Sequence, residues 1–237
     1  LVWHACVFTP SEAFLYALVH DHEQYARYLL NRYSVGALDM PSQSFCCCHA
    51  SGTPHLTVAV RYNRVTILKM IMGSLKDFTE SQRESYVNSL GCLHMEGGKG
   101  ALHLACELVR PECLVLLLGH GASPYVTDRH GNTPMDCLLH QIGQGKADMS
   151  PQHVCLGYLM VFMPKLKFQM KGQLQKNPGV WQSLLGEQAF DWLSGRSPPS
   201  LFVQAMQRMT QSIPVEQVDS LPDFLKPLDF RLHQYAS

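Results

Sequence analysis

Charge is scarce in this chain: 16% of its 237 residues are Asp, Glu, Lys or Arg, and 19 basic residues stand against 19 acidic ones. With no net charge it lacks the electrostatic footprint that binding to a phosphate backbone requires, so nucleic acid is not expected as a partner. Long apolar runs are missing too. The longest, Val154 to Met163, is ten residues, half of the roughly 20 that a membrane-spanning helix needs, and no membrane span is expected. Nor is there a disulfide framework: nine cysteines are an odd number without regular spacing, three of them side by side at Cys46, Cys47 and Cys48. That usage fits a reducing compartment, the cytoplasm. The chain starts at Leu1 with neither a basic-then-apolar leader nor a transit-type segment, and is expected to be a fragment without its natural N-terminus. What it has in quantity is apolar residues, 46% of the total, enough for most of it to fold.

The organising feature is a repeat. Gly98-Lys99-Gly100-Ala101-Leu102-His103-Leu104-Ala105 returns as Gly131-Asn132-Thr133-Pro134-Met135-Asp136-Cys137-Leu138, 33 residues later, with Leu116-Leu117-Leu118-Gly119-His120-Gly121-Ala122-Ser123 between them. This is the period and pattern of ankyrin repeats, each a turn and two short antiparallel helices. One such unit cannot bury its apolar face alone and must stack on copies of itself. The expected fold is therefore an all-α ankyrin-repeat solenoid, with His103, Gly121, Gly131, Thr133 and Pro134 as its turn and stacking residues.

Two earlier units align through Ala17-Leu18 before Asp21-His22 and Ala59-Val60 before Asn63-Arg64, matching Ala105-Cys106 before Val109-Arg110. About four repeats are expected over residues 1–145. Each second helix carries an apolar cluster that reads as stacking core: Tyr25, Tyr28, Leu29 and Leu30, then Val65, Ile67, Leu68 and Ile71, then Cys113, Leu114, Leu116, Leu117 and Leu118. From Ala17 to Ala59 is 42 residues and from Ala59 to Ala105 is 46, so the segments near 32–52 and 73–97 carry 9 and 13 residues beyond the period. Such insertions form loops on one face, often the binding face, or neutral surface elaboration.

Residues 146–196 read as a capping helix at Val154–Met163 and a connector over Lys165–Gly179. A short aromatic-rich helical segment follows, carrying Trp181, Leu184, Leu185, Phe190, Trp192 and Leu193. Beyond Pro198-Pro199, Ser200 can cap a helix with Leu201, Phe202, Ala205, Met206, Met209 and Ile213 on one apolar face, stopped at Pro214. A stripe this short needs something to pack against.

Nothing in the sequence assembles a catalytic site, and no enzyme, cofactor or metal is expected. Cys46-Cys47-Cys48-His49 has adjacent side chains projecting apart, whereas structural zinc ligands are spaced roughly two to four residues, and it would need a second pair such as Cys92 and His94. Gly97-Gly98-Lys99-Gly100 imitates a phosphate loop, but Leu93 stands where the first glycine belongs and Gly100 where a hydroxyl should hold magnesium. His103 beside Cys106 is a weak nucleophile–base pairing against a structural role in linking repeats.

Ankyrin repeats followed by Pro198-Pro199-Ser200-Leu201-Phe202-Val203-Gln204-Ala205 and then Leu221-Pro222-Asp223-Phe224-Leu225 resemble the architecture of the ankyrin-repeat, SOCS-box family. The resemblance implies a substrate receptor of a cullin-5-type RING ubiquitin ligase. The repeats would bind an unidentified target protein, and residues 197–237 would form a box that engages the ligase. Within it, Leu201, Phe202, Ala205, Met206 and Met209 would bind elongin B/C, and Leu221 and Pro222 cullin-5. Ala205 stands where the typical box has cysteine, and Asp223-Phe224 replace its usual continuation. The alternative reading is a plain ankyrin scaffold whose C-terminal helices fold back onto its own stack.

Overall fold

The computed structural model describes residues 8–42, 52–94, 96–145 and 148–212. Among these residues the regular structure is helical, with one isolated antiparallel bridge between Leu90 and Gly100. The chain divides into two compact units, Leu1–Ala101 and Leu102–Ser237. The first contains α1 (Pro10–His20), α2 (Glu23–Tyr33), α3 (His55–Arg61), α4 (Val65–Ser74) and α5 (Glu80–Val87). From α6 (Ala101–Glu107) onward come α7 (Pro111–Gly119), α8 (Pro134–Gly143), α9 (Ser150–Phe162), α10 (Lys171–Lys176), α11 (Pro178–Leu185), α12 (Glu187–Ser194) and α13 (Leu201–Ser212).

Threonine starts three of these helices. Thr9, Thr79 and Thr133 each accept a bond from the N–H three residues on, and Glu12, Gln82 and Asp136 reach back to the threonine N–H. Two of the donors that a helix start leaves orphaned are thereby satisfied. The pairs α1/α2 and α3/α4 stack in the first unit, α1 on α3 and α2 on α4, and in the second unit α9 packs on both α7 and α8.

The turn within a pair repeats in atomic detail. His22 N donates to Ala17 O at 2.9 Å, and Arg64 N to Ala59 O and Arg110 N to Ala105 O, both at 2.8 Å. The residue before each donor is left-handed: Asp21 at φ 60°, Asn63 at 55° and Val109 at 52°. Asp and Asn tolerate that conformation, but a β-branched side chain does not. Val109→Asn is therefore expected to stabilise the fold by about 1 kcal/mol, seen as a higher thermal midpoint; an unchanged or lower midpoint would contradict it. Arg64 adds a tie between the first two pairs. Its Nε donates to Leu18 O at 3.1 Å, its Nη2 to Val19 O at 2.9 Å and its Nη1 to Asp21 at 3.1 Å, which satisfies carbonyls left open at the end of α1.

Several expectations are revised. Tyr25 and Tyr28 are not core: both are exposed and stack on each other with centroids 6.4 Å apart. Ala26, Leu29 and Leu30 set the buried stripe of α2, and the two tyrosines lie off it. The helix expected at Val154–Met163 begins earlier, at Ser150, and is the second member of the fourth pair rather than a terminal cap. The segment read as a connector contains α10, whose Leu174 is fully buried, a helix too short to show periodicity in the sequence. The aromatic segment is two helices, α11 and α12, broken at Gly186 with φ 79°. The insertions are partly core: Leu38, Leu75, Tyr86 and Val87 are all buried.

Candidate functional site

Two of the turn residues singled out in the sequence, His103 and Gly131, gather around one buried carboxylate, Asp128. Asp128 accepts from His130 N at 2.8 Å, Asn132 N at 2.9 Å and Asn132 Nδ2 at 3.2 Å. Burial alone would raise its pKa, but the Asn132 and His130 donors hold it below the usual carboxylate range. Gly131, at φ 79°, lets the chain close between these donors, and Asp128 N bonds back to Asn132 O at 2.9 Å. His103 is buried with Nε2 3.0 Å from Asn132 O. Since a carbonyl can only accept, that nitrogen carries the proton. Thr133 and Pro134 then start α8, while Gly121, at φ 88°, follows α7. These residues build the turn that runs from α7 to α8.

One residue reaches further than the sequence suggests. Besides closing the capping box with Thr133 N at 2.8 Å and Thr133 Oγ1 at 2.7 Å, the Asp136 carboxylate accepts Met170 N at 2.8 Å. The sequence marked Thr133 only as a turn residue, and Met170 lies in a segment without a recognisable pattern.

The second surface is α13. Ser200 Oγ accepts from Val203 N at 3.3 Å at its start. Val203, Met206 and Gln207 are buried, and the helix packs on α9. Gln207 Nε2 donates to Met160 O at 2.8 Å, one of the carbonyls that the last turn of a helix leaves open. The opposite edge faces outward: Leu201 is 84% and Phe202 43% exposed, Ala205 is exposed and Met209 half-buried. The apolar stripe read as one face is thus split, with Met206 turned inward and Leu201, Phe202 and Ala205 turned outward. Leu221, Pro222, Ile213 and Pro214 lie outside the described residues.

The residues with superficial chemical promise have structural partners. Gly98 N bonds to Cys92 O at 3.3 Å and Lys99 N to Glu96 O at 3.2 Å, so these N–H groups close a turn rather than cradle an anion. Cys106 is fully buried, and burial pushes its thiol pKa well up, away from the thiolate a nucleophile needs. Cys46, Cys47, Cys48 and His49 lie outside the described residues; among those described, no group of three or more His, Cys, Asp or Glu is placed to hold a metal ion. No helix of the described residues is long and apolar enough to cross a membrane.

Sequence reading also passed over His55, the polar centre of the first unit. Ser11 Oγ donates to Asp39 O at 2.6 Å and lies 3.1 Å from His55 Nε2, while Tyr86 OH lies 3.4 Å from Nδ1. With the Ser11 proton committed to Asp39, the consistent assignment is a neutral ring protonated at Nε2 and accepting from Tyr86. Burial lowers the His55 pKa from 6.5 to about 4, opposed in part by Ser11. Between those values the unfolded chain binds the extra proton, so this contribution to stability is whole above pH 6.5 and is lost as pH falls toward 4. The expected loss is about 3 kcal/mol, measured as the pH dependence of unfolding by circular dichroism. His55→Leu should reduce the slope in that window, and a slope unchanged by the substitution would refute the assignment.

Comparison with known proteins agrees with this architecture. Residues 97–129 match the family model described as Ankyrin repeat. In an alignment 257 positions long the chain is 44% identical to Ankyrin repeat domain-containing protein 9 of Mus musculus, covering 95% of this chain and 78% of that relative.

Proposed function

Because the chain belongs to the family of ankyrin repeat domain-containing protein 9, and so to the ankyrin-repeat interaction proteins, we propose that it is the substrate-recognition subunit of a cullin-5-type RING ubiquitin ligase. In this reading the ankyrin face binds the target protein in the cytoplasm for ubiquitination and proteasomal degradation. Residues 197–237 form the SOCS-box-like region, with Leu201, Phe202, Ala205, Met206 and Met209 toward elongin B/C, and Leu221 and Pro222 toward cullin-5. Ubiquitin chemistry belongs to the partners.

The observation that carries the reading is the outward edge of α13. A leucine 84% exposed at the first position of a helix otherwise docked on α9 is a large apolar group in want of cover, and a helix offering such an edge suits a groove in a partner. The inward side of the same helix favours a second reading, a protein-interaction scaffold whose C-terminal helix is packed on its own repeats through Val203, Met206 and Gln207. Size-exclusion chromatography with light scattering of the full chain mixed with elongin B/C separates the two. A stoichiometric complex supports the ligase receptor, and a folded chain that elutes apart from elongin B/C favours the scaffold.

A further inference from the structure

In the first unit, the turns that join the helices of each pair hold aromatic rings out in solvent. His20 ends α1, and His22 immediately precedes α2. With Tyr16, one turn earlier on α1, they form a cluster of exposed rings. The ring centroids are 4.3 Å apart for Tyr16 and His20, 5.7 Å for Tyr16 and His22, and 5.9 Å for His20 and His22. At the corresponding turn of the second pair Tyr62 is exposed, and the Arg64 guanidinium lies over its ring at 5.9 Å. Arg64 also binds Asp21, the residue between the two histidines, at 3.1 Å. The α1–α2 cluster and Tyr62 are therefore parts of one surface.

Two properties define what this surface fits. Its charges are already paired, Arg64 with Asp21 at 3.1 Å and Arg61 with Glu96 at 2.9 Å, so the segment that complements it is uncharged. Its aromatic stations are also regularly spaced. His20 and Tyr62 occupy the same repeat position, three residues after Ala17 and Ala59, and α1 stacks on α3. Packed helices run roughly 8–10 Å apart, which matches one turn of a polyproline II helix, three residues at roughly 3.1 Å each. Other modes of peptide capture do not suit the site. Strand addition needs a sheet edge, whereas α1 to α4 are helices; a helix needs a groove between elements, whereas these rings stand on turns at helix ends; and acidic motifs need arginines that are not already paired.

We propose that Tyr16, His20, His22 and Tyr62 form a docking surface for an uncharged, proline-rich segment of a partner protein. The segment lies in the polyproline II conformation, with one turn on the α1–α2 cluster and the next on Tyr62. Proline rings stack on the aromatic faces. The phenol and imidazole groups are donors, and the carbonyls of a polyproline II segment have no internal partners. The inference goes beyond the function proposed above and holds for either reading of it, since a ligase receptor and a scaffold both need a partner on the repeats.

The test is fluorescence anisotropy of a labelled peptide of repeated Pro-Pro-Ala, titrated with the full chain at low and physiological salt. The expected result is saturable binding that salt changes little and that weakens about tenfold or more in Y16A/Y62A, with a smaller loss in Tyr62→Ala alone. Tyr33→Ala, which removes an exposed tyrosine at the far end of α2, should leave binding unchanged. Thermal melting verifies that each variant is folded. Absence of saturable binding, equal binding by Y16A/Y62A, or an equal loss in Tyr33→Ala overturns the proposal. So does equal or tighter binding of a glutamate–serine or glycine–serine peptide of the same length. A loss of about tenfold between low and physiological salt also overturns it, because charge would then be the source of the affinity.

Discussion

Leu201→Glu should abolish association with elongin B/C and leave the free chain as stable as before. The leucine is 84% exposed, and substitutions at such positions typically change stability by about 0.5 kcal/mol or less. It is also the first residue of α13, where a carboxylate suits the positive end of the helix dipole. In a complex the balance is different. Burying a leucine side chain contributes about 1.5–3 kcal/mol, and forcing an unpaired carboxylate into the same apolar site adds a desolvation cost of several more. The combined loss of about 4 kcal/mol or more corresponds to roughly a thousandfold weaker complex, enough to remove co-elution. Met206→Glu serves as the contrast. Met206 is buried where α13 meets α9, so its replacement should lower the melting temperature. A Leu201→Glu chain that still co-elutes with elongin B/C as the parent does would refute the docking role of α13.

Asp136→Ala is expected to destabilise the second unit by about 3 kcal/mol or more. The substitution strips acceptors from Thr133 N, Thr133 Oγ1 and Met170 N, each bonded at 2.7–2.8 Å. Thr133 and Met170 are themselves buried, so water does not readily replace the lost partner. Hydrogen bonds to a charged group contribute roughly 1.5–3 kcal/mol each, and an abandoned buried donor costs about as much. Denaturant unfolding followed by tryptophan fluorescence reads the effect, because Trp181 and Trp192 are buried in the same unit. Asp136→Asn keeps one carbonyl acceptor and should lose less. Equal midpoints for the parent and Asp136→Ala would show that the carboxylate holds nothing together.

The sequence by itself determined the repeat. Ala17, Ala59 and Ala105 were alignable because each repeat places a small residue at the same tight crossing, and the structure uses the same three carbonyls to close its helix-to-helix turns. The capping boxes at Thr9, Thr79 and Thr133 are local in the same way, each complete within four residues. The apolar content of α13 was equally legible. Its division was not: periodicity reports that Leu201, Phe202, Ala205 and Met206 can share a side, whereas which of them α9 covers depends on the approach of a helix some 40 residues away in the chain.

The same distinction explains the residues that sequence reading missed. His55 lies within a Thr-Pro-His string that reads as an ordinary repeat turn, and its meaning comes from Ser11, 44 residues before it, and Tyr86, 31 residues after. Lys165 and Gln169 read as parts of a connector until Tyr125 and Gly131 meet them. A net charge of zero was legible at once, but not that Arg64 pairs with Asp21 and Arg61 with Glu96. Local preferences act within a turn of helix and are written in neighbouring residues, while burial and hydrogen-bond partnership are decided by which distant segments meet, and only the tertiary structure brings those together.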